Sequence, residues 1–116
     1  MIYESVLDTI GRTPIVSLGR LASDVPADIH LKLECLNPGG SHKVRIALNM
    51  IHDYERVGIL ERGSGQTILE PTGGNTGLGI AMAAAVLGYR VVLVIPDNYA
   101  HSKRRILEAF GAQVGI

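Results

Sequence analysis

A lysine set against the field of its own helix is the first residue that could do chemistry. In Asn37-Pro38-Gly39-Gly40-Ser41-His42-Lys43-Val44-Arg45 a turn built from Pro38, Gly39 and Gly40 hands over to a helical pattern, and Lys43 falls in its first turn. Ser41 fits the N-cap, because its hydroxyl can accept a bond from an unpaired amide of that turn. A helix N-terminus favours anions. Its positive potential also favours the neutral amine, the form that a Schiff-base lysine needs. The ordinary alternative is a solvated lysine on an amphipathic helix, and this stretch alone leaves that alternative standing.

A second stretch, Glu70-Pro71-Thr72-Gly73-Gly74-Asn75-Thr76-Gly77, joins a strand-like Thr67-Ile68-Leu69 to a helical pattern beginning at Thr76. Loops between a strand end and a helix N-terminus are the usual anion sites of open α/β sheets. A plain glycine-rich connection is the competing reading. Two rival motifs are weaker. Gly77-Leu78-Gly79-Ile80-Ala81-Met82 carries Met82 where a dinucleotide fingerprint needs its third glycine, although Asp97 stands about 20 residues on, where a ribose-binding acid belongs. A P-loop fails, since His42 precedes Lys43 and Val44 follows it. His30, His42, His52 and His101 show no zinc-type spacing with one another or with Cys35, which reads as a small buried hydrophobe. Lys103-Arg104-Arg105 reads as a solvated helix face.

These residues need elements to position them. Glu4 to Ile10 reads as a short helix, with Val6, Leu7 and Ile10 as its apolar contacts, broken at Arg12-Thr13-Pro14. Ile15, Val16 and Leu18 make a brief strand, and Ala22 to Asp28 a surface loop. Ile29 to Glu34 alternates as a half-buried strand does. From Ser41, Val44, Ala47, Leu48, Ile51 and Tyr54 share one helical face, which Gly58 ends. Thr76 to Leu87 is apolar on most sides and therefore a buried helix, closed by Gly88. The run Val91 to Ile95 predicts a parallel strand covered on both faces. Ser102 to Phe110 predicts a helix with Ile106, Leu107 and Phe110 inward, and Ala112-Gln113-Val114 starts a last strand. The alternation of helix and strand after Ser41 argues for an α/β fold with a parallel twisted sheet and flanking helices.

Composition narrows the classes. Hydrophobic residues make up 47% of 116, enough for one domain with a real core. Lys plus Arg equals Asp plus Glu at 11 each, so no net charge draws the chain to nucleic acid or to an acidic membrane. No apolar run is long enough to span a bilayer. The segment Met1 to Asp8 lacks the basic and apolar regions of a signal peptide. With the single Cys35, the expected setting is the reducing cytoplasm.

With Ile10-Gly11-Arg12-Thr13-Pro14, the two chemistry-bearing stretches resemble the N-terminal half of a cysteine synthase. That family belongs, with cystathionine β-synthase, to the pyridoxal-phosphate enzymes of the tryptophan-synthase-β fold type (fold type II). The resemblance implies that Lys43, in a motif matched at Asn37, Pro38, Ser41, Lys43 and Arg45, holds pyridoxal phosphate and later removes the substrate's α-proton. It implies that Thr72, Gly73, Gly74, Asn75 and Thr76 bind the substrate carboxylate, with Asn75 also on the cofactor's ring hydroxyl. Two residues depart from the motif. Val44 replaces an aspartate and removes a pairing it could offer Arg45, and His42 replaces an apolar residue at a partly exposed position. Gly73 stands for a serine in the loop.

The implied reaction is β-replacement on an activated serine, of the O-acetylserine type, through an aminoacrylate, giving cysteine or a related amino acid. Its partners are a small amino-acid substrate and a sulfur or other nucleophile donor, with a homodimer for the full-length form. The last strand lacks a closing helix, so the chain looks truncated, and a complementary C-terminal half is a further expected partner. Residues 1–36 are expected to pair their strands with a second domain, and residues 37–116 to form the incomplete lysine and substrate-loop domain. The alternatives are a non-catalytic partner subunit and a dinucleotide-binding half-domain.

Overall fold

The computed structural model describes residues 2–98 and 101–116. The expected helix over Glu4 to Ile10 is a single 3-10 turn, Val6–Thr9. Ser5 and Asp8 close a capping box at its start, and the Thr9 hydroxyl donates to the Val6 carbonyl at 2.7 Å, so the turn satisfies itself and stops. Leu7 alone of its apolar residues is buried. β1 (Ile15–Ser17) and β2 (His30–Lys32) pair antiparallel with each other. Every residue of both strands is exposed, which corrects the half-buried strand expected over Ile29 to Glu34. Among the described residues no layer packs on either face of this ribbon, so alternation along the strand has no core to sort against.

The α/β pattern after Ser41 holds. α1 (Lys43–Arg56) buries Val44, Ala47 and Ile51, while Tyr54, at the end of the stripe, stays 48% exposed. β3 (Thr67–Pro71), α2 (Asn75–Leu87), β4 (Arg90–Val94), α3 (His101–Ala109) and β5 (Gln113–Gly115) follow, and β3-β4-β5 form a parallel sheet in that order. α2 is the centre of the core: Ile80, Ala81, Met82, Ala83 and Ala84 are all buried, and Gly88 ends the helix.

The sheet is covered on one face, not two. In the register Ile68↔Val91 and Glu70↔Leu93, one side buries Val91 and Leu93 beneath the helices. The other side carries Leu69, 65% exposed, and Val94, 40% exposed. An uninterrupted apolar run marks a strand able to be covered twice, and here a second layer is absent among the described residues. The same openness corrects α3: Leu107 is buried, but Ile106 and Phe110 are exposed. Cys35 is exposed in a 3-10 turn (Glu34–Leu36) and is not a core residue.

Candidate active site

The close packing of α1 on α2 depends on one missing side chain. A Cβ at Gly79 would stand 2.9 Å from the Ala47 Cβ, 3.1 Å from the Val44 Cα and 3.2 Å from the Lys43 carbonyl oxygen. The first residue of α1 therefore lies against the fifth residue of α2. Asn75 opens α2 four positions earlier, about 6 Å along the axis at the usual helical rise. Two helix N-termini, one bearing Lys43 and the other the Thr72–Thr76 loop, are brought side by side.

At the α1 end, the helix starts at Lys43 with His42 in the N-cap position, one residue later than expected. His42 already has helical angles (φ −62°, ψ −17°), so the chain enters the helix through it. Ser41 is buried and still serves the turn, its hydroxyl accepting from the Lys43 amide at 3.2 Å. Among the described residues the Lys43 side-chain amine has no hydrogen-bond or ion-pair partner. His42 is exposed beside it.

At the α2 end, Thr72 is pinned by its amide to the Val94 carbonyl at 2.8 Å. Its buried hydroxyl accepts from the amides of Gly77 at 3.1 Å and Gly74 at 3.4 Å, so it shapes the loop from inside. The first amides of a helix have no partner within it. With Gly77 taken by Thr72, the amides of Asn75 and Thr76 remain for a ligand. Gly73 and Asn75 are exposed and Thr76 is half-buried. Asn75 also lines a cleft of about 130 Å³ with Leu78, Lys103, Ile106 and Leu107.

The polar network behind Lys43 centres on a residue that the sequence motifs do not single out. The Glu34 carboxylate accepts from Arg45 through both its oxygens at 2.8 Å, from the Thr13 hydroxyl at 2.5 Å and from the Asn37 amide group at 2.8 Å. Asn37, buried, accepts in turn from the Gly11 amide at 2.8 Å. Donation by Arg45 first, then by Thr13, holds the Glu34 carboxyl down to about 2. Arg45 thus loses nothing by standing next to Val44: its carboxylate comes from Glu34, and Val44 is 1% exposed in the core. Glu34 escapes sequence reasoning because it occupies a polar position of a strand-like alternation. The available signal was the pair Asn37 and Arg45, two polar motif residues that need a shared acceptor when buried.

The structure thus sets a lysine at one helix N-terminus beside a glycine-rich loop at the next, on a parallel α/β sheet. Residues 6–115 match the family described as pyridoxal-phosphate dependent enzyme, and the chain belongs to that family. It is 49% identical over 97% of its length to a cysteine synthase of a Flavobacterium species, covering 36% of that relative. Against a probable cysteine synthase of Bacillus subtilis (strain 168) the identity is 47% over 97% of this chain and 36% of the relative. Against the O-ureido-L-serine synthase of Streptomyces lavendulae it is 45% over 97% of this chain and 34% of the relative. A crystal structure of O-ureido-L-serine synthase superimposes with a TM-score of 0.92 at 44% identity, over 99% of this chain and 35% of that one. The O-ureido-L-serine-bound K43A mutant of O-ureido-L-serine synthase superimposes at 0.89 and 44% identity, over 98% of this chain and 35% of that one. The chain spans about a third of the length of the curated relatives it matches. Among its described residues no helix is long and apolar enough to cross a membrane.

The residues present fit the family's cofactor. A partner-free amine can take up an aldehyde and an exposed carboxamide can meet a ring hydroxyl, while the unclaimed helix amides are left for a substrate carboxylate.

Proposed function

We propose that the protein contributes to β-replacement on an activated serine of the O-acetylserine type, with Lys43 as its catalytic residue, to form cysteine or a related amino acid. One observation carries the reading: the free amine of Lys43 stands at a helix start packed beside a loop whose Asn75 and Thr76 amides are unclaimed. Lys43 and Asn75 hold pyridoxal phosphate, by its aldehyde carbon and its ring hydroxyl. When bound, the cofactor supplies an electron sink for the substrate's α-carbon. The amides of Gly73, Asn75 and Thr76 and the Thr76 hydroxyl bind the substrate carboxylate, with Thr72 and Gly74 shaping the loop. Once the substrate's amine has displaced it from the cofactor, the freed Lys43 Nζ would take the proton from the α-carbon. A carboxylate bound at the α2 N-terminus gains from the helix field there.

Residues 37–116 form the lysine and loop domain, and the strands within residues 1–36 join a second domain. The full-length form is a cytoplasmic homodimer, with a sulfur or other nucleophile as second substrate. The names of the relatives support both cysteine and a ureido-serine as products of this chemistry in their own proteins.

Absorbance titration with pyridoxal phosphate tests the assignment. A visible band is expected in the unmodified protein and absent in Lys43→Ala, and activated serine should shift it. Thr76→Val should keep the band but weaken that shift about tenfold in serine concentration, the loss of one hydrogen bond to a charged group. A band that survives Lys43→Ala unchanged would sink the reading.

A further inference from the structure

We propose that Glu34 is the positioning residue for Lys43, its carboxylate tying down the chain on both sides of the lysine. The inference rests on Lys43 being the cofactor lysine. Asn37 lies six residues before Lys43 and Arg45 two after it, and both donate to the same Glu34 oxygen, Oε2, at 2.8 Å. Arg45 reaches the other oxygen, Oε1, at 2.8 Å, where Thr13 also donates. Four donors occupy the two oxygens, so the carboxylate has no capacity left for proton transfer and serves as an anchor.

The anchored span needs one. Gly39 and Gly40 stand between Asn37 and Lys43 with φ of 79° and 70°, in a conformation whose freedom a fixed end must remove. The Lys43 amine makes no contact of its own that would orient it among the described residues. Its direction therefore comes from the backbone on either side. Val44 leaves the first turn of α1 without a carboxylate for Arg45, so its carboxylate partner is Glu34, with one further bond from Arg45 to the Thr13 hydroxyl at 3.2 Å. The Arg45 guanidinium is in turn confined by Gly11, where even a methyl group would stand 2.8 Å from Nη1.

The test compares Glu34→Gln with Glu55→Gln. Glu55 accepts from Arg62 at 2.7 and 2.8 Å and from the Tyr89 hydroxyl at 2.8 Å, so its loss also breaks a charged network, but one in the last turn of α1. Amide hydrogen exchange over residues 38–43 is read by mass spectrometry, alongside the share of borohydride-fixed pyridoxal phosphate found on Lys43. In Glu34→Gln, exchange over 38–43 should rise about tenfold and the Lys43 share of label should fall by a similar factor, as a displaced reacting group predicts. Glu55→Gln should change neither. A folded Glu34→Gln with unaltered exchange and unaltered label would overturn the proposal. If Glu34→Gln does not fold, Arg45→Lys, which keeps the charge and loses the two-pronged contact, decides in the same way. Random labelling of the unmodified protein would reject the cofactor reading, while the exchange comparison still judges the tie itself.

Discussion

Gly11 and Arg45 define how tightly the N-terminal segment is held to the turn that carries Lys43. Gly11 has φ of 91°, and its missing Cβ is the space the guanidinium fills. Gly11→Ala should therefore lower stability by about 1–3 kcal/mol in urea unfolding, from left-handed strain and a displaced ion pair. The same network sets an acid limit. Glu34 and Glu55 both titrate at about 2 instead of the ordinary 4.5. Between those values the unfolded chain binds more protons than the folded one, so their stabilisation is complete above 4.5 and lost as pH falls towards 2. Urea midpoints should drop steeply through that window, and less so in Glu34→Gln; identical slopes in the two proteins would contradict it. At this scale Lys43, Asn37 and Asn75 were singled out as candidates because they sit inside spaced motifs. Glu34 was not, because its donors Thr13, Asn37 and Arg45 come from separate elements and meet only in the fold.

At the scale of elements, Gly79 decides whether the lysine and the loop meet. Gly79→Ala must push α1 away from α2, since backbone and not only side chain lies within 3.2 Å of the new atom. It should cost about 1–3 kcal/mol, the range of overpacking, and weaken pyridoxal phosphate binding as well. The one-sided sheet makes a second prediction. Leu93, fully buried, should cost about 2–5 kcal/mol on truncation to alanine. Leu69, on the open face, should cost under about 1 kcal/mol. Equal losses would mean that both faces are covered. Strand and helix periods were readable because α1 and the run Val91 to Ile95 are strongly patterned. What the patterns could not reveal is which apolar faces find a partner, and Tyr54, Ile106 and Phe110 were misplaced for that reason.

For the whole molecule, the radius of gyration of 16.9 Å exceeds the roughly 13 Å of a compact chain of this length. The excess fits the exposed ribbon of β1 and β2 and the uncovered face of the sheet. A two-stranded ribbon with no core is marginal by itself. Its amides at Val16 and Leu31 should exchange far faster than those of Val91 and Leu93; equal protection would show the ribbon packed on something. The proposal that Lys43 of this chain takes up pyridoxal phosphate is open to one direct measurement. Borohydride reduction after incubation with pyridoxal phosphate, followed by peptide mapping, tests it most directly. One phosphopyridoxyl label is expected, on Lys43, lost in Lys43→Ala. Label scattered over the lysines, or none at all, would contradict it.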